Sequence, residues 1–171
     1  MRAVKSAYDL LIVALAYIAG ATIVLAFVLI VVDVTIRTIG MRPPAYTTAV
    51  VEYVLLYFTL FAAPYLVRQK GHVFVDALIS RISGRPRWVV EKLVYLICVA
   101  TSLAFAVIGF NLGFEAIESG NIEERSIDVP SWVDYWAVGP IFLLVSIEFA
   151  RYLIGADSMY RRAQAKAPES L

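Results

Sequence analysis

Apolar residues occur in this chain as long uninterrupted runs rather than as the short alternations of a soluble domain. Residues 10–32 carry no charged side chain, and neither do residues 93–114. A helix rises about 1.5 Å per residue, so each run is long enough to cross a hydrocarbon core of about 30 Å. The pattern predicts membrane-spanning helices over about residues 10–32 and 89–114.

Two further runs are apolar but contain ionisable side chains. The run at about 49–67 contains Glu52. The run at about 133–154 carries Glu148 and Arg151 close to its far end, where an ion pair within the helix or snorkelling of the side chains to the surface accounts for them. Hydrophobic residues make up 61% of the chain and charged residues only 17%, which excludes an ordinary soluble domain. We therefore predict an all-α integral membrane protein with four spans and a single membrane domain over residues 1–171.

The connection between the second and third spans has a different periodicity. Read as a helix over about 72–83, it separates apolar from polar positions, with Val75, Leu78, Ile79 and Ile82 on one side and Asp76, Ser80 and Ser83 on another. A short helix with this pattern lies in the plane of the membrane surface. We predict an amphipathic interfacial helix that packs against membrane lipid or a partner protein.

The basic residues predict the orientation, because Lys and Arg are retained on the cytoplasmic side of a membrane. Only Arg37, Arg42 and Arg125 of the 15 basic residues lie outside the N-terminus, the second connection and the C-terminal part. The third connection is acidic. Its acidic residues are Glu115, Glu118, Glu123, Glu124, Asp128 and Asp134. Both termini are predicted to be cytoplasmic and the acidic connection to face outward.

Glu52 is the sharpest candidate for chemistry, because an ionisable group within a span is costly unless it is paired, hydrated or titrating. It lies near the outer boundary of its span, where it could pair with Arg37 or reach water. A helix–helix or subunit-interface role and an ion-coupling role both remain open. Asp33 and Arg37 are four residues apart and are expected to pair on one helix, so that the three side chains form one outer polar cluster.

Several classes of function are excluded by what the sequence lacks. His72 is the only histidine and lies outside the spans, so no axial haem ligands are available within the membrane. His72 and Asp76 lack a third metal ligand, and Cys98 is a single cysteine that reads as a packing residue. No nucleophile–base pair or phosphate-binding loop occurs. We expect no enzyme activity, no cofactor in this chain and no nucleic-acid partner.

Three features predict how the helices pack. Span two carries an aromatic series, in which Tyr53, Tyr57, Phe61 and Tyr65 recur every four residues and face either lipid or a partner. Gly109 and Gly113 form a pair of small residues that allows a neighbouring helix to approach closely. Pro64 and the pair Gly139-Pro140 are expected to kink their helices.

Taken together, these residues resemble the small membrane subunit, of the DctQ type, of a tripartite ATP-independent periplasmic (TRAP) transporter. The resemblance covers nearly the whole chain, and its most specific part is the Gly-His-Val-x-Val-Asp segment after span two. The matching positions are Arg37, Glu52, Arg68, Gly71, His72, Asp76, Val129-Pro130-Ser131-Trp132 and Gly139-Pro140.

The resemblance implies a multi-pass protein of a bacterial or archaeal inner membrane. Its implied partners are a large multi-span permease subunit, which holds the sodium and substrate sites, and a periplasmic substrate-binding protein that delivers an organic acid anion. The small subunit is then a scaffold that braces the permease. The resemblance assigns structural or subunit-interface roles to Arg37, Glu52, Arg68, Gly71, His72 and Asp76.

Two other classes of function compete with this interpretation. The first is a small self-assembling multidrug exporter in which Glu52 exchanges protons for a cationic substrate. A proton-coupled acid should lie near the midplane of the membrane, whereas Glu52 lies near the rim of its span. The second is a membrane anchor of a redox enzyme, which would need cofactor ligands that the sequence lacks.

Overall fold

The computed structural model describes residues 2–69, 85–124 and 128–155, and these residues are predominantly helical. The elements are, in chain order, α1 (Arg2–Thr38), α2 (Tyr46–Arg68), α3 (Arg85–Ser119), β1 (Ile122–Glu124), β2 (Asp128–Pro130), α4 (Trp132–Trp136) and α5 (Val138–Leu153). The interfacial helix predicted over about 72–83 lies outside the described residues.

Within the described residues, four helical segments are long and apolar enough to cross a membrane, as the sequence predicts. They are Ser6–Thr38, Tyr46–Arg68, Trp88–Ser119 and Trp132–Leu153. Each helix that contains one of the first three extends beyond its predicted apolar run, because flanking polar residues continue the backbone hydrogen bonding. The 37 residues of α1 span roughly 55 Å at 1.5 Å per residue, well beyond the hydrocarbon core.

The end of α1 is set by Gly40. Its φ of 82° lies in the left-handed region, which glycine adopts without a steric penalty from a Cβ atom. The amide of Gly40 donates to the Arg37 carbonyl at 3.0 Å and that of Met41 to the Ile36 carbonyl at 3.1 Å. This is the Schellman pattern, which satisfies carbonyls at a helix end.

The fourth span is divided into α4 and α5 at Ala137. Pro140 has no amide hydrogen, so it cannot donate a hydrogen bond to the carbonyl of Trp136, four residues earlier. The helix is therefore interrupted close to the predicted kink at Gly139-Pro140. Pro64 lies fully buried inside α2, and that helix runs on through it.

The helices associate as two pairs, α1 with α2 and α3 with α5, and α2 joins α5 to connect the pairs. The buried positions of α1 recur every seven residues at Ile12, Ala19 and Ala26. Asp33 continues the series with a side chain only 15% exposed. A seven-residue repeat is the geometry of left-handed helix packing. We call these four residues the α1 seam.

A compact group of apolar side chains joins α2, α3 and α5 at the end of the subunit where α2 terminates. Its buried members are Val67, Tyr95, Val145, Phe149 and Tyr152. The rings of Tyr95 and Tyr152 stack with centroids 5.8 Å apart. Outside this group, α1 and α3 leave wide apolar faces exposed, as expected for surfaces that meet lipid or another protein.

The acidic connection after α3 contains a short hairpin that no pattern in the sequence predicts. Strands β1 and β2 pair antiparallel, with Ile122 opposite Pro130 and Glu124 opposite Asp128. The amide of Ser131 donates to the Asn121 carbonyl at 3.0 Å and closes the base of the hairpin. The pairing brings the end of α3 beside the start of α4.

Candidate functional site

Charged side chains of the described residues collect at both ends of the spans. We call the end where α1 terminates and α2 begins the Arg37 end, and the opposite end, where α2 and α5 terminate, the Arg68 end. At the Arg37 end, the Arg37 Nε donates to the Asp33 Oδ2 at 2.7 Å, as the four-residue spacing predicts. The Arg37 side chain is 59% exposed, whereas that of Asp33, a member of the α1 seam, is 15% exposed.

Glu52 lies beside this pair, in an open cleft between α1 and α2. The cleft has a volume of about 180 Å³ and is lined by Ile30, Asp33, Thr47, Thr48, Val51 and Glu52. Asp33 and Glu52 therefore line one cleft, and Asp33 also binds Arg37. The Asp33 Oδ1 is buried without a hydrogen bond from any described residue.

Among the described residues that line the cleft at the Arg37 end, the polar side chains are the carboxylates of Asp33 and Glu52 and the hydroxyls of Thr47 and Thr48. Thr47 is buried and its hydroxyl donates to the Pro44 carbonyl at 3.0 Å, which is a local contact at the start of α2. Within 2–69, 85–124 and 128–155, no group of three or more His, Cys, Asp and Glu side chains could hold a metal ion. This end can pair helices or meet a partner.

At the Arg68 end, the predicted residue Arg68 contacts α1. Its Nη2 donates to the Asp9 Oδ1, and its guanidinium carbon lies 6.0 Å from the centre of the Tyr8 ring. Both contacts join α2 to α1 across a separation of about sixty residues. Sequence reasoning identified Arg68 but missed Asp9 and Tyr8, because nothing in the local pattern pairs residues from two spans.

The second ion pair at this end is that of Glu148 with Arg151 in α5. Arg151 Nη1 donates to both carboxylate oxygens, at 3.0 and 2.9 Å, which confirms the predicted pair within the helix. The burial of the carboxylate was not foreseen. The Glu148 side chain is 1% exposed and that of Arg151 36%, and Glu148 lies beside the buried hydroxyl of Tyr8.

Backbone carbonyls at the ends of α2 and α5 receive side-chain donors from neighbouring helices. The Tyr152 hydroxyl lies 3.2 Å from both the Val67 and the Arg68 carbonyl oxygens. The Lys92 Nζ donates to the Leu153 carbonyl. Such contacts satisfy acceptors that helix ends leave without partners within the helix.

Part of the aromatic series of span two is used within the subunit. The Tyr57 hydroxyl donates to the Val133 carbonyl of α4 at 2.5 Å, and the Tyr57 and Phe61 rings lie 5.5 Å apart. Tyr46, at the start of α2, is 54% exposed. The predicted close approach at Gly109 also occurs, and its partners are Val138 and Gly139 of α5.

Four apolar spans, with ion pairs at their ends and apolar packing between, define a multi-pass membrane protein built by helix association. The chain matches the family model described as "Tripartite ATP-independent periplasmic transporters, DctQ component" over residues 26–157. It belongs to this family, which confirms the resemblance, and is therefore a small subunit of a TRAP transporter. The members of the family are transport components rather than enzymes. Comparisons with curated proteins and with solved structures gave no match.

The predicted site residues fall into two groups. Arg37, Glu52 and Arg68 lie at the helix ends described above and within the matched region. Gly71, His72 and Asp76 lie within the matched region but outside the described residues. The exporter interpretation finds no support in the family match.

Proposed function

We propose that this chain is the scaffold subunit of a sodium-driven TRAP transporter, and that it braces a large multi-span permease subunit in the membrane. The observation that carries the proposal is the distribution of polar groups in the described residues. The residues buried between the helices are mainly apolar, and the ion pairs lie at the two ends. A transport path needs polar groups that converge within the membrane, whereas a scaffold needs packed helices and a surface for its partner.

The solute and the coupling ions belong, in this proposal, to the permease subunit. A periplasmic binding protein delivers the solute, an organic acid anion, and sodium supplies the driving force. The chain itself carries no cofactor. Its location is the inner membrane of a bacterium or archaeon, with both termini in the cytoplasm, so that the Arg68 end is cytoplasmic and the Arg37 end faces outward.

The apolar faces of α1 and α3 are the surfaces available to the permease and to lipid. Leu10, Tyr17 and Phe27 of α1 are all at least 67% exposed, and Trp88 of α3 is 64% exposed. Within this proposal Arg37, Glu52, Arg68, Gly71, His72 and Asp76 are structural or subunit-interface residues. Arg37 and Glu52 are exposed at one rim of the subunit, where a partner could contact them.

The position of Glu52 also favours a scaffold over a proton-coupled exporter. Glu52 lies in the second turn of α2, which begins at Tyr46, and it is exposed in the cleft at the Arg37 end. A carboxylate that exchanges protons with a transported cation is expected deep in a span, shielded from bulk water.

The test is affinity purification of this chain from its native membranes in mild detergent, followed by mass spectrometry and stoichiometry. We expect one large multi-span partner in near-equal amount. Uptake is then measured in liposomes with the pair of subunits, a sodium gradient and the binding protein, and with this chain alone as the control. Transport by the chain alone, or a stable homo-oligomer without the large partner, would refute the scaffold proposal.

A further inference from the structure

Charged groups from three different helices meet at the Arg68 end, and their charges balance. α1 contributes Asp9, α2 contributes Arg68, and α5 contributes the pair Glu148 and Arg151. Arg68 is within electrostatic reach of Glu148 as well as of Asp9. Tyr8 lies among these side chains, under the guanidinium of Arg68 and beside Glu148. We call these five residues the Arg68-end network.

The apolar contacts of α1 do not by themselves define its position along α2. The α1 seam repeats every seven residues, so a slide by one heptad toward the Arg37 end would place Ala19 where Ala26 packs, Ala26 where Asp33 packs and the apolar Ile12 where Ala19 packs. Between residues 10 and 32 the helix carries no charged side chain. Packing between surfaces of repeated small apolar residues specifies register weakly, and polar groups within such a seam are what specify it.

The ion pair at the Arg37 end cannot supply this missing specificity. Asp33 and Arg37 both belong to α1, so their contact moves with the helix and survives a slide. The Asp9–Arg68 contact behaves differently because its members belong to different helices. A slide by seven residues displaces α1 by about 10 Å, which would separate Asp9 from Arg68 and break an ion pair whose side chains are 39% and 23% exposed.

We propose that the Arg68-end network sets the register of α1 against α2 and α5, with Asp9 acting as the positioning residue for Arg68. Arg68 is then used inside the subunit rather than for contact with a partner. The inference concerns this chain alone, so it stands or fails independently of the proposed scaffold function.

The register can be read at the opposite end of the same helix pair. Ile30 and Val51 line one cleft between α1 and α2, so cysteines there should be joined by a short bis-maleimide. Ile23 lies one heptad earlier on α1, is the same residue type and is similarly exposed, at 37% against 44% for Ile30. The pairs Ile30→Cys/Val51→Cys and Ile23→Cys/Val51→Cys, each with Cys98→Ala, therefore report the native and the shifted register in native membranes.

The measured quantity is the ratio of the native to the shifted cross-link. We expect Asp9→Asn and the double variant Asp9→Asn/Arg68→Gln to lower this ratio about fivefold or more, the factor that accompanies loss of one modest interaction. Arg68→Lys should keep most of the ratio, because an ammonium group can still form an ion pair with Asp9 although the guanidinium contact with the Tyr8 ring is lost. Glu118→Gln, an exposed acid on α3, is the matched control and should leave the ratio unchanged.

The double variant decides between positioning and simple charge compensation. It leaves Glu148 paired with Arg151 and introduces no unbalanced charge, so it should accumulate in the membrane even if Asp9→Asn alone does not. A native cross-link ratio in the double variant would overturn the proposal, because the register would then be set by apolar packing. Failure of the double variant to accumulate would also overturn it, since the pair would then be required for stability and not for register.

Discussion

The third and fourth spans touch through their main chains at Gly109 and Gly139. A Cβ atom at Gly109 would lie 2.7 Å from the Gly139 backbone nitrogen and 2.8 Å from Val138 Cγ1. A Cβ at Gly139 would in turn lie 2.8 Å from Cδ1 of the Phe110 ring. Main-chain atoms inside a helix cannot move aside as a flexible side chain can, so this contact requires glycine.

Replacement of Gly109 should therefore separate α3 from α5. We expect Gly109→Ala to lower the free energy of unfolding by about 1–3 kcal/mol through overpacking. Gly113 is the matched control, because a Cβ there would meet its nearest neighbours in Trp136 and Tyr135 at 3.9 Å, which is ordinary contact. Thermal unfolding in detergent measures both variants. Equal melting temperatures for Gly109→Ala and Gly113→Ala would contradict this account of the contact.

The two members of the Glu148–Arg151 pair should respond unequally to substitution. Arg151→Ala leaves a carboxylate that is 1% exposed without its partner, and we expect a loss of about 3–5 kcal/mol. Glu148→Gln leaves an arginine that is 36% exposed and can turn toward water, so a smaller loss of about 1–2 kcal/mol is expected. The measurement is the midpoint of thermal unfolding, followed by size-exclusion chromatography. A larger loss of stability for Glu148→Gln than for Arg151→Ala would contradict the burial of Glu148 and the exposure of Arg151.

The Tyr57 hydroxyl should contribute to the contact between α2 and α4. Tyr57→Phe removes the 2.5 Å hydrogen bond to the Val133 carbonyl and keeps the ring, so we expect a loss of about 1 kcal/mol. Tyr46→Phe in the same helix alters a side chain that is 54% exposed and should have no effect. Thermal unfolding of the two variants side by side checks the difference. An unchanged melting temperature for Tyr57→Phe would mean that solvation of the Tyr57 hydroxyl and the Val133 carbonyl is worth as much as the hydrogen bond between them.

Loss of Arg37 should be corrected by a second substitution at Asp33. Arg37→Gln removes the partner of a carboxylate whose other oxygen is already buried without a hydrogen bond from the described residues. We expect lower accumulation in the membrane and a lower melting temperature. Arg37→Gln/Asp33→Asn should recover most of both, because no charge is then left unpaired. If the double variant is no better than Arg37→Gln, Arg37 acts through a partner other than Asp33.

The contacts within one helix were predictable from the sequence. The pairs Asp33–Arg37 and Glu148–Arg151 follow from spacings of four and three residues, because such residues lie on one side of a helix. The interruption of the fourth span follows from the missing amide of Pro140. Local spacing determines these features without reference to the rest of the fold.

The α1 seam carries a sequence signal that is easily missed. Ile12, Ala19 and Ala26 recur every seven residues, yet every other face of α1 is also apolar. A membrane helix gains little from turning one apolar face inward rather than another, so hydrophobicity does not distinguish its buried side. The small size of Ala19 and Ala26 was the available indication of the contact with α2.

The sequence alone determined the four spans, the family resemblance and the expected confinement of charge to the ends of the helices. These follow from apolar run length and from the cost of burying charge in a membrane, which act residue by residue. Tertiary structure alone decided that Arg68 meets Asp9 and Tyr8, that Glu148 is buried, and that Gly109 faces Gly139. These contacts join residues of different helices, and helix order and rotation come from packing that no local pattern encodes.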